Sequence, residues 1–177
     1  MMSEAPKSGS RPRREPTVSP TDYAAFIGQL QLTNIWLEGS RISNEHGPAT
    51  PEQASLSITS DKASFESEPD GFTAHQGYQV TFTLVDAVIA EIEVGFGLRF
   101  SSPQTMTDEI FQVFSEVNLP VNTWPYFREY VATAMGRMGW TPMTLPALKR
   151  GVRPSIPTQR AVRRSSRPRK ASQPTDS

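Results

Sequence analysis

The sequence predicts an α+β domain, with an antiparallel sheet first and helices after it, and three observations carry that prediction. Apolar residues recur with period two up to residue 100, and after Pro103 they recur with a helical period. Charge also divides the 177 residues into three parts: residues 1–20 hold four basic and two acidic side chains, 21–148 five and fifteen, and 149–177 nine and one. The formal net charge of zero therefore hides an acidic middle between two basic ends. The middle holds 55 apolar residues and the ends only nine, so 1–20 and 149–177 read as disordered flanks and 21–148 as one folded domain. A domain of that length buries about two-thirds of the surface its unfolded chain exposes.

The first strand spans 30–42. Leu30 and Leu32 stand on even positions but Ile35 and Leu37 on odd ones, a phase switch that predicts a β-bulge near Thr33 and Asn34. It leaves Trp36 and Glu38 on the outer face. Gly47, Pro48 and Pro51 make 43–53 a loop. A second strand runs through Ala54, Leu56 and Ile58 and resumes, after 60–62, at Ala63 and Phe65. Pro69, Gly71 and Gly77 mark 66–77 as a loop. Tyr78, Val80, Phe82 and Leu84 define a third strand, and Asp86 and Ala87 a two-residue connection. In the fourth strand, 88–100, every even position is apolar while Glu91, Glu93 and Arg99 mark the odd face as solvated.

Two helices follow. Thr107 is an N-cap for a helix whose Ile110, Phe111, Phe114 and Val117 share a face, ending at a break over 118–120. A longer helix is expected to start at 122–124, with Pro125 in its first turn, and to run to Met138. Glu129 early and Arg137 late suit the helix dipole, and Gly139 is a stop. Trp140, Pro142, Met143, Leu145, Pro146 and Leu148 then form an extended apolar segment.

Little here suits catalysis. The chain has no cysteine, no Gly-rich phosphate loop and no serine motif near a histidine, so no enzyme and no cofactor is expected. His46 and His75 lie 29 residues apart without a carboxylate at ligand spacing, and read as loop histidines rather than metal ligands. No apolar run approaches the roughly 20 residues of a membrane span, and the basic run Arg11, Arg13, Arg14 leads into Glu15 and Pro16. Neither signal peptide nor anchor is expected, and the cytoplasm is the expected location.

Pro125, Tyr126, Phe127, Arg128 and Glu129, followed by Arg137, Gly139, Pro142 and Leu145, are more specific. Over about 28–148 this pattern resembles the SecB family of protein-export chaperones, in which such a motif opens and closes the long central helix ahead of a crossover loop. The tryptophan before the proline resembles a divergent SecB-like group, some of whose members serve toxin–antitoxin systems. The resemblance implies a twisted four-stranded antiparallel sheet with two helices on one face, assembled as a dimer of dimers. It implies no cofactor, unfolded or nascent polypeptides as clients, and the SecA motor as a partner, with an antitoxin as a further one. By position, Glu38, Ile89 and Glu91 match the motor-docking sheet face. Asn34 stands where typical members carry an acid, and the chain from Lys149 lacks their apolar C-terminal helix. Pro125, Tyr126, Arg128, Glu129, Arg137, Gly139 and Pro142 are expected to be structural.

Trp36, Trp140, Met143, Leu145 and Leu148 are large apolar groups in strand-face or irregular positions, and they are the expected client contacts. The expected function is thus an ATP-independent holdase that keeps polypeptides competent for folding or translocation. The alternative is a non-enzymatic interaction subunit whose basic tail (Arg160, Arg163, Arg164, Arg167, Arg169, Lys170) binds nucleic acid or an anionic membrane. No aromatic residue interleaves those charges, and a solubilising or autoregulatory tail reads equally well.

Overall fold

A computed structural model describes residues 18–148, so both expected flanks lie almost wholly outside the described residues. In order the elements are α1 (Pro20–Gly28), β1 (Gln31–Asn44), β2 (Ser55–Ser60), β3 (Ser64–Glu68), β4 (Gly71–Leu84), β5 (Ala87–Ser101), α2 (Asp108–Val117) and α3 (Leu119–Arg137). All pairings are antiparallel, and β1, β5 and β4 lie side by side with β2 and β3 both on the far edge of β4. The α+β class is as expected, with differences in detail.

Helix α1 is new. Ser19 caps it by accepting from the Asp22 backbone N–H, Pro20 supplies a preset first turn, and Phe26 is buried in the core. The break expected at 60–62 falls at 61–63 and divides the second strand into β2 and β3, and there the Asp61 N–H donates to the Gly77 carbonyl. The buried Gln76 amide donates to the carbonyls of Asp61 and Gly77, satisfying the backbone that the interruption frees. Finally, 66–77 is no loop. It is the tight β3–β4 hairpin, in which Pro69 and Asp70 turn the chain and Glu68 pairs with Gly71. His75 consequently lies in β4, while His46 does lie in a loop.

The β4–β5 turn is formed by Val85 and Asp86, one residue earlier than expected, both at positive φ as a two-residue hairpin of matching twist requires. The bulge in β1 falls between Leu32 and Asn34 as expected, and a second register shift between Leu37 and Gly39 brings Ser40 and Ile42 back to the core side.

On that side the even residues of β4 and β5 meet α2 and α3. Phe72 stacks on Phe100 at 5.0 Å and both meet Phe114 edge-on, while Tyr78 stacks on Phe127 at 4.5 Å. Helix α3 starts three residues before the expected range, because Pro120 suits its first turn and Asn118 alone separates it from α2. Pro125 is therefore internal to the helix rather than in its first turn. Its end is a Schellman motif: Gly139 at φ 79° donates to Gly136 and the Trp140 N–H to the Met135 carbonyl.

Two stability results follow. A Cβ at Gly71 would lie 1.9 Å from the Phe100 carbonyl oxygen, a backbone atom that cannot yield without opening the β4–β5 ladder. Gly71→Ala is expected to cost about 2–3 kcal/mol, read as a lower urea midpoint. Burial pushes the Tyr78 phenol up to about 12 although its hydroxyl lies 2.6 Å from that of Thr123. A raised folded pKa means that the stability is complete below pH 10 and is lost as pH rises through 12, by at most about 2–3 kcal/mol. The urea midpoint should fall across that window, and less steeply in Tyr78→Phe.

Candidate functional site

The core side of the sheet is not covered to its edge. Among the described residues β1 is the outermost strand, fourteen residues long with no proline, and none of them forms a strand on its outer side. Leu32, Leu37 and Ile42 point to the helix side, yet Leu37 is 48% exposed and the other two are also open. Tyr126, 45% exposed, and Val121 stand exposed on α3. Between strand and helix lies a notch of about 190 Å³ lined by Ile35, Trp36, Leu37, Phe96, Tyr126, Glu129 and Tyr130. Periodicity placed Leu32 and Leu37 correctly on the core face, whereas Ile42 reaches it only through the second register shift, which was not expected. Periodicity carries no information on whether a helix reaches far enough to cover them.

The expected client contacts do not stay together. Trp140 is 3% exposed: it meets Phe82 edge-on at 5.2 Å, and its indole N–H donates to the Gly47 carbonyl at 2.8 Å. Leu145 is 0% exposed, and its carbonyl accepts from Arg128 Nε at 2.7 Å. Both belong to the core, because the segment after α3 is strapped to that helix, with Trp124 Nε1 also donating to the Pro146 carbonyl at 2.9 Å. Met143 is exposed, and Leu148 is half-buried against the core. Trp36 is half-buried and lies over Gly97, where a Cβ would meet its ring at 2.3 Å.

The remaining motif residues have visible contacts. Arg128 ties the crossover to α3, Glu129 accepts from the Thr133 hydroxyl and lines the notch, and Arg137 closes the last turn. Pro142 packs over Gly136.

Glu38 and Glu91 fall on the outer sheet face, but Ile89 does not: it is the extra residue at the β4–β5 register shift and is half-buried against the core. Glu38 sits in the second register shift of β1 and binds His75 Nδ1 at 2.6 Å, while Glu91 occupies an odd position of β5. By strand rise Glu38 and Glu91 lie about 15 Å apart along the sheet. Gln79 Nε2 donates to Glu91 at 3.2 Å. Further along this face Glu68 holds Arg99 at 3.0 Å and accepts from Thr73, and these contacts, the Thr73 hydroxyl foremost, hold its carboxyl below the usual range. Among the described residues no group of three or more His, Asp or Glu is placed to hold a metal, and no helix is long and apolar enough to cross a membrane.

The described residues thus present an edge strand, an apolar strip beside it and a polar opposite face. No protein-family model matches the chain, nor does any curated protein. Among solved structures it is similar to the SecB-like chaperone Rv1957 of Mycobacterium tuberculosis, in complex with a ChAD peptide from the HigA1 antitoxin Rv1956. The TM-score is 0.63 at 19% identity, over 74% of this chain and 99% of that one. A likeness at that identity establishes a SecB-like fold.

Proposed function

We propose that this chain is a SecB-like holdase that binds unfolded polypeptides without ATP along the strip of Leu32, Leu37 and Ile42 and the adjoining notch. The observation that carries the reading is the uncovered strip itself. A long edge strand bearing open leucines and an isoleucine is an aggregation hazard in a protein without a partner for it, and a working surface in one that has partners. Two copies paired through their β1 edges would lay two strips side by side and give an extended client a continuous apolar track. Met143 and Leu148 are proposed as further apolar contacts after α3, while Trp36, whose ring lies over Gly97 on the outer face, stands apart from the strip.

The acidic outer face, with Glu38 and Glu91 on it and Ile89 at the β4–β5 register shift near its end, is the proposed docking surface for an export motor of the SecA type. An antitoxin segment is the proposed dedicated client, supported by the antitoxin peptide held by the SecB-like structure of similar fold. The test is to dilute a urea-unfolded client into buffer containing this protein but no nucleotide. Aggregation should be suppressed near one assembly per client, and light scattering should show the protein as a dimer or larger. A strictly monomeric protein that leaves aggregation unchanged would sink the proposal.

A further inference from the structure

On the outer face, opposite the strip, Gly39, Gly95 and Gly77 lie in register across β1, β5 and β4. They floor a trench of about 680 Å³. One side is made by Glu38 with its His75 partner, the other by Gln79, Glu93 and Arg41, and Asp61 overhangs Gly77. Its charged lining is thus three carboxylates and one guanidinium.

Folding explains Gly77, whose Cβ would run into the Asp61 carboxylate, but not the other two glycines of this floor. A Cβ at Gly39 would meet nothing within 4 Å, and one at Gly95 nothing closer than 3.9 Å, and neither glycine has a positive φ. A strand interior gains about 0.5–1 kcal/mol when glycine becomes alanine, so these two positions forgo stability and keep backbone bare. Strand glycine marks a bulge, as at Gly39 beside the second β1 register shift, or a place where a ligand or another backbone comes close, which is the reading left for Gly95.

The chain itself supplies an occupant. Beyond Leu148 it continues for 29 residues with nine basic side chains and one acidic, reaching up to about 95 Å when extended, enough to pass around the sheet edge from the helix side. Guanidinium groups match carboxylates in charge and in bidentate geometry. We infer that residues 149–177 seat in this glycine-floored trench, their arginines on Glu38, Asp61 and Glu93, and so cover the acidic face against other basic partners. This does not depend on the holdase reading, since strip and trench lie on opposite faces of the sheet.

The chain has no native cysteine, so Ser166→Cys in the 177-residue protein accepts a single nitroxide label. Amide signals of Gln79, Glu93 and Gly77 should lose at least half their intensity. Filling the floor with Gly39→Val and Gly95→Val should restore the Gln79 and Glu93 signals while leaving the melting temperature equal or higher. Asp61→Asn with Glu93→Gln should reduce the effect at least threefold. Broadening that is absent, that persists in the filled variant, or that centres on Leu37 and Tyr126 overturns the inference, as does a trench whose signals respond to an added basic peptide but not to the label.

Discussion

Replacing Trp140 with alanine should lower the stability of the domain by about 3–5 kcal/mol, the usual cost of truncating a buried tryptophan. The ring fills the space between Phe82 and His46, and its N–H shares the Gly47 carbonyl with the Asn44 side-chain amide across 93 residues of sequence, so removal leaves a cavity and takes away one of that carbonyl's two donors. The melting temperature should drop by on the order of 10 °C. Trp140→Phe should cost less, about 1–2 kcal/mol, since it keeps most of the packing and loses the hydrogen bond. In both variants the fraction still folded should bind clients normally. Weakened client binding at unchanged stability would return Trp140 to the binding surface.

The opposite outcome is expected from Leu37→Ser with Tyr126→Ser. These side chains are 48% and 45% exposed, so the domain loses little on truncation. A client pressed against them buries the remaining area, and at about 25 cal/mol per Å² two partly covered side chains are worth roughly 1.5–3 kcal/mol. Client affinity should therefore fall about ten- to a hundredfold, with helical signal and urea midpoint nearly unchanged. Titration of a fluorescent unfolded client into each variant reads this directly, and an unchanged affinity removes these residues from the site.

What the sequence revealed follows from which physics is local. The β1 bulge was legible because the apolar phase must stay on the core face, and Ile42, even again after odd Ile35 and Leu37, carried the signal of the second shift. Helix α1 was legible too, in Ser19, Pro20 and Asp22, but the change in composition near residue 20 set the boundary inside it. The β3–β4 hairpin was hidden because Gly77 looks like a loop residue, whereas it is a strand residue beneath Asp61. Trp140 and Leu145 were misplaced because proline-spaced chain looks like open loop. Their burial depends on Gly47, Phe82 and Arg128, contacts that no local pattern encodes. Leu32 and Leu37 were seen as core because periodicity gives the face of a strand and not its neighbours.

The most direct measurement is calorimetric titration, without nucleotide, of one client protein in two forms: native, and permanently unfolded by reduction and carboxymethylation. The unfolded form should bind with micromolar or tighter affinity and a negative heat-capacity change, the mark of apolar burial, while the native form gives no heat. Equal binding of both forms, or binding of the unfolded form without a heat-capacity change, would contradict a holdase that works through the strip along β1.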